Sequence, residues 1–90
     1  MYSLKIHKKA LRFLNAQTPN LKNNIREKLN LLKEDPYSHN QLDIKKLKDA
    51  SDYYRLRIRN IRIIYKIDGD ELLILVTNAG NRGNIYKKRS

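Results

Sequence analysis

The chain contains no cysteine, so no disulfide can brace it and no zinc site can be built on thiolates. That absence fits a reducing compartment. Long apolar runs are missing too. Charge breaks up the opening segment Met1-Tyr2-Ser3-Leu4-Lys5-Ile6-His7-Lys8-Lys9, which is therefore neither a signal peptide nor a membrane span. A soluble, cytoplasmic protein without membrane association is expected. No repeat or low-complexity segment occurs. Histidine is scarce: His7 follows the first apolar stretch and His39 lies in a polar one. Neither has a partner at a recognisable spacing, so both read as surface or capping residues rather than catalysts.

Acidic residues are few. Nine Asp+Glu face 20 Lys+Arg, a net charge of +11 on 90 residues. A chain of this length makes one domain, residues 1–90, with a modest core. The charge excess repels itself in the compact state, and a polyanionic partner relieves that repulsion. Nucleic acid is the leading partner class, because neutralising phosphates releases counterions. The plainer alternative is a solvated, lysine-rich surface.

Hydrophobic periodicity divides the chain into a helical half and a strand half. Tyr2, Leu4 and Ile6 alternate with Ser3 and Lys5, the pattern of a short half-buried strand. Ala10, Leu11, Phe13 and Leu14 then cluster at helical spacing between His7 and Ala16. Thr18-Pro19 restarts the chain as an N-cap followed by a first-turn proline. Leu21, Ile25, Leu29 and Leu32 form one apolar stripe, which Asp35-Pro36 ends. Residues 37–52 read as a polar connection in which Leu42, Ile44 and Leu47 touch the core, with a turn at Asp49-Ala50-Ser51-Asp52. Three strands follow. Tyr54, Leu56 and Ile58 alternate with Tyr53, Arg55 and Arg57. Ile61, Ile63, Tyr65 and Ile67 alternate with Arg62, Ile64 and Lys66. Leu72 to Val76 is apolar on both faces and should lie centrally. Asp68-Gly69-Asp70 marks a hairpin turn. Residues 78–84 read as a loop, and Ile85-Tyr86 as a last short strand. The expected architecture is α+β: an N-terminal strand and a two-helix hairpin on a three- to four-stranded antiparallel meander.

The arginines of the meander carry the functional signal. With Arg59-Asn60 as a two-residue loop, Ile58 pairs with Ile61 and Arg57 lies opposite Arg62, with Arg55 on the same face opposite Ile64. Like charges across a ladder are unfavourable, so such a pair points to a bound anion. Arginine suits it, because its planar fork grips phosphate and stacks on bases. Lys45, Lys46 and Lys48 lie just upstream, and no acidic partner is evident, which is the electrostatic footprint of nucleic-acid binding. Taken singly, each arginine reads as the wet face of a sheet. The tight turn also demands a positive φ that suits Arg59 poorly, and a longer loop would change which residues face each other. Tyr54 and Tyr65 follow the apolar alternation and read as core.

The run Leu42-Asp43-Ile44-Lys45-Lys46-Leu47-Lys48, followed by Tyr53 to Ile63, resembles the central block of the RelE/ParE toxin superfamily. Gly80-Asn81-Arg82-Gly83-Asn84-Ile85-Tyr86 is similar to its closing motif. The resemblance covers nearly the whole chain and implies a RelE-like fold. For RelE-like members it implies a metal- and cofactor-independent endoribonuclease acting on messenger RNA in the ribosomal A site, held inactive by a RelB-like antitoxin and needing no small-molecule ligand. By the same resemblance, Arg62 would brace the scissile phosphate and Arg82 would stand beside the leaving group. Tyr86 would help take the 2′-hydroxyl proton or stack on a base. Lys45, Lys46, Lys48, Arg55 and Arg57 would line the RNA groove. Asn81 stands where many relatives have histidine, which puts the proton-transfer scheme in question. Two other readings share this fold: a ParE-like toxin that inhibits DNA gyrase without cleaving RNA, and an RNA-binding module without catalysis.

Overall fold

The structure, a computed structural model, describes residues 1–37, 40–47 and 52–81. Its elements run β1 (Ser3–Ile6), α1 (Lys8–Asn15), α2 (Pro19–Glu34), β2 (Asp43–Lys46), β3 (Tyr53–Ile58), β4 (Ile61–Asp68) and β5 (Leu73–Asn81). The helices begin where the sequence supplies acceptors for exposed N–H groups. His7 Nδ1 accepts from Lys9 N at 3.2 Å, and Thr18 Oγ1 accepts from Leu21 N at 3.3 Å. Pro19 occupies the first turn of α2. No helix among the described residues is long and apolar enough to cross a membrane.

The five strands form one sheet in the order β1-β5-β4-β3-β2. β2 through β5 pair antiparallel, and β1 joins the far side of β5 in parallel. The sheet is thus mixed, and its antiparallel part, β2 to β5, is a four-stranded meander, within the size expected. One of its strands was not expected: β2 falls inside the segment read as a polar connection, while the expected last strand, Ile85-Tyr86, lies outside the described residues. The apolar strand β5 lies in the interior between β1 and β4, as its two-sided pattern predicts.

The helices cover one sheet face. Ala10, Leu14, Ile25, Leu29 and Leu32 pack against Leu56, Ile58, Ile61, Ile63, Tyr65, Ile67, Ile74 and Val76. Burying each large apolar side chain contributes about 1.5–3 kcal/mol before conformational entropy is counted. Tyr65 is fully buried, stacks on Tyr54 with centroids 5.7 Å apart, and donates its hydroxyl to Pro36 O at 2.7 Å. That bond ties the sheet to the segment leaving α2.

Two corrections concern β5. Residues 78–81 belong to the strand rather than to a loop. Leu72 lies in the turn rather than in the strand, with a φ of 52°. Asp68 Oδ1 accepts from Asp70 N and Glu71 N, each at 3.1 Å, and so caps this turn. Ile64 pairs with Asn78 while Tyr65 pairs with Val76, so Thr77 is an extra residue, a β-bulge. The bulge shifts the alternation of β5 by one. Val76 and Ala79 therefore both face the core, and Asn78 and Gly80 turn to the open face.

Candidate nucleic-acid interface

The sheet face away from the helices carries the arginines, and strand pairing arranges them in rows. One row is Asp43, Arg57, Arg62 and Gly80, contributed by β2, β3, β4 and β5. The next is Lys45, Arg55, Ile64 and Asn78. The pairing expected from a two-residue Arg59-Asn60 loop is the one observed: Ile58 with Ile61, Arg57 with Arg62, and Arg55 with Ile64. Arg59 accepts the turn with a φ of 55°. Directly paired residues on adjacent strands sit about 4.5–5.5 Å apart at Cα, so Arg57 and Arg62 are close neighbours of the same charge.

The expectation that these cations have no acidic partner is overturned. Arg55 Nη2 donates to Asp43 Oδ1 at 2.7 Å, and Arg57 Nε lies 3.4 Å from Asp43 Oδ2. The Arg55 side chain is only 7% exposed, against 36% for Arg57 and 53% for Asp43. Arg55 is thus an anchored cation beneath the surface rather than a freely solvated one. The short contact is a charge-assisted hydrogen bond, the stronger kind. The longer contact is not aligned as a hydrogen bond, and Arg57 Nε stays buried without one, as does Arg55 Nε. Desolvated N–H groups on cations are costly unless an acceptor reaches them.

Sequence reading missed Asp43 because it took this segment for a loop. The detectable signal was the alternation of Asp43 with Lys45, which becomes meaningful once the segment is a strand. The alternation also separates the lysines. Lys45 shares the row of Arg55, whereas Lys46 pairs with Tyr54, on the helix side of the sheet. Both are exposed at the β2 edge. Lys48, Arg82 and Tyr86 lie outside the described residues, as does His39. His7 serves as the N-cap of α1. Among the described residues no group of three His, Cys, Asp or Glu gathers that could hold a metal ion.

A further row of the same face contains Tyr53, Lys66, Leu75 and Lys5. Lys66 Nζ stands 5.9 Å from the centroid of the Tyr53 ring, within cation–π range. Residues two apart along a strand are about 6.5 Å from one another. The open face therefore combines guanidiniums suited to phosphate with an aromatic ring a short step away.

Comparison with known proteins identifies the family and the fold. The family model for the ParE toxin of type II toxin–antitoxin systems matches residues 3–86. A chain of Methanocaldococcus jannaschii that carries the name toxin RelE1 is 30% identical over 86 residues, 96% of each chain. The archaeal RelE–RelB complex from Pyrococcus horikoshii contains a chain that superposes with a TM-score of 0.81 at 26% identity, covering 92% of this chain and 97% of that one. The isolated Escherichia coli RelE toxin shares the fold, with a TM-score of 0.78 at 20% identity over 93% of this chain and 87% of that one. The chain belongs to the RelE/ParE superfamily of toxins of type II toxin–antitoxin systems.

Proposed function

We propose that this toxin is an endoribonuclease that cleaves messenger RNA in the ribosomal A site and is held inactive by a RelB-like antitoxin. The observation that carries the reading is the open sheet face on which Arg55, Arg57 and Arg62 gather, with Arg57 directly opposite Arg62. A ladder that accepts like-charge pairing gains from an anion bound there. The similarity to a RelE chain from a RelE–RelB complex supports the antitoxin partner.

The chemistry is transesterification. The RNA 2′-hydroxyl attacks the adjacent phosphorus, and the bond to the 5′-oxygen of the next nucleotide breaks. The products are a 2′,3′-cyclic phosphate and a 5′-hydroxyl. Arg62 braces the phosphate as negative charge builds on it. Preorganised donors of this kind are worth about 3–4 kcal/mol each in the transition state. By family resemblance Arg82 assists the departing oxygen and Tyr86 takes the 2′-hydroxyl proton. A phenol ordinarily ionises near pH ~10, and neighbouring guanidiniums favour its anion. Gly80 is the Cα partner of Arg62 and Asn81 that of Ile61, so the end of β5 lies next to this cluster. Orientation of the message by the ribosome compensates for weak acid–base groups, which places the action in the cytoplasm.

Ribosomes programmed with a defined message test the reading. The wild-type protein is expected to cut within the A-site codon, and Arg62→Ala to cut roughly 10²–10³-fold more slowly while keeping its fold. The family model is named for ParE, which favours a second reading, inhibition of DNA gyrase. Gyrase poisoning by a wild-type protein that leaves programmed ribosomes uncut would establish that reading and end the first.

A further inference from the structure

Asp43 is the acidic residue that the structure pairs with Arg55 and Arg57, in a protein whose net charge is +11. Its carboxylate does two different things. Toward Arg55 it makes a 2.7 Å hydrogen bond to a nearly buried guanidinium, which fixes that side chain. Toward Arg57 it offers a looser 3.4 Å contact and leaves Nε without an aligned acceptor. The carboxylate itself is half exposed and borders a polar recess of about 290 Å³ that Lys28, Arg57 and Arg59 also line. Two oxygens on one carbon, bridging two guanidiniums, hold the positions that two phosphate oxygens would take.

We propose that Asp43 is a positioning residue and internal counter-anion of this face: it holds Arg55 in place throughout and occupies Arg57 only until an RNA phosphodiester displaces it from Arg57. The inference rests on reading the open face as an RNA site. A bare cluster of guanidiniums would repel itself and grip any polyanion. With Asp43 present, a phosphate must displace a carboxylate before it reaches Arg57. Nonspecific affinity is thereby lowered, while Arg55 stays aimed for the phosphate that does enter.

The test separates binding from chemistry. Affinity for a short 2′-O-methyl oligouridylate, which has no 2′-hydroxyl to attack, is measured across a salt series for the wild type and Asp43→Asn. Removing one competing, half-exposed charge is expected to tighten binding about fivefold. It should also steepen the dependence of log K on log salt by about 0.7, the value for one more cation neutralised on a single strand. On programmed ribosomes kcat should fall about tenfold or more as Arg55 loses its orientation, while KM falls with it. A merely structural role would weaken binding and leave the salt slope unchanged, and that outcome overturns the proposal. Affinity and slope equal to wild type overturn it as well. A second measurement needs no variant and stands even where Asp43→Asn does not fold. The side-chain carboxyl carbon resonance of Asp43 in the wild-type protein should shift as the oligonucleotide is added, and a stationary resonance at saturation contradicts the proposal. Should the wild type fail to cut RNA while Asp43→Asn still binds more tightly with the steeper slope, the nuclease reading falls and this one stands.

Discussion

Arg59 shows how single residues here serve charge at the expense of backbone comfort. Its φ of 55° lies in the left-handed region, where a side chain with a Cβ costs about 1–2 kcal/mol relative to glycine. A two-residue hairpin favours glycine at such a position. Arg59→Gly should therefore stabilise the protein by about 0.5–1 kcal/mol, net of glycine's extra freedom in the unfolded chain. Thermal unfolding should show a rise of a few degrees, given about 4–8 °C per kcal/mol in a domain of this size. An unchanged or lower Tm would mean that the arginine side chain returns the backbone cost through its own contacts. The turn was legible in the sequence through the alternation on either side of it, although the residue at its tip argued against it. Pairing of Ile58 with Ile61 outweighs the preference of Arg59.

At the level of elements, both helices could be placed from sequence: the first by the apolar spacing of Ala10, Leu11, Phe13 and Leu14, the second by its apolar stripe with Thr18 as cap and Asp35-Pro36 as stop. β2 could not, because it holds a single apolar residue, Ile44, and owes its extended state to β3. The end of β5 was obscured for the opposite reason. Asn78, Gly80 and Asn81 have turn composition, and the ladder to β4 overrides it. The join between α2 and the sheet depends on Tyr65. Its hydroxyl bond to Pro36 O is buried, so Tyr65→Phe should cost about 1 kcal/mol or somewhat more, since the carbonyl loses its partner. Burial, then the nearby Tyr54 and Asp35, push the Tyr65 phenol well above its ordinary value of 10.0. The neutral phenol is thus favoured by folding. Its contribution is intact below pH 10 and is lost above it, where the unfolded chain ionises and the folded one does not. Denaturant titration should show stability falling by up to about 1.4 kcal/mol per pH unit above that point. Tyr65→Phe should remove that part of the slope; an identical slope in the variant would assign the loss to other groups.

For the molecule as a whole, the α+β layer arrangement was legible in the periodicity, because it is a sum over many residues. The three arginines could be assigned to one face for the same reason. Their link to Asp43 could not, since it depends on pairing between strands whose register is set in three dimensions. The parallel joining of β1 to β5 bears on how the chain comes into being. Ser3 meets Leu73 and Ile6 meets Val76, so the earliest strand waits for nearly the last one. During translation the N-terminal segment leaves the ribosome long before its neighbour exists, and such distant closure is slow. Nascent chains arrested before Leu73 should be digested readily by added protease, and those extended well past Asn81 should resist it. A toxin built this way cannot close its sheet until β5 has been made.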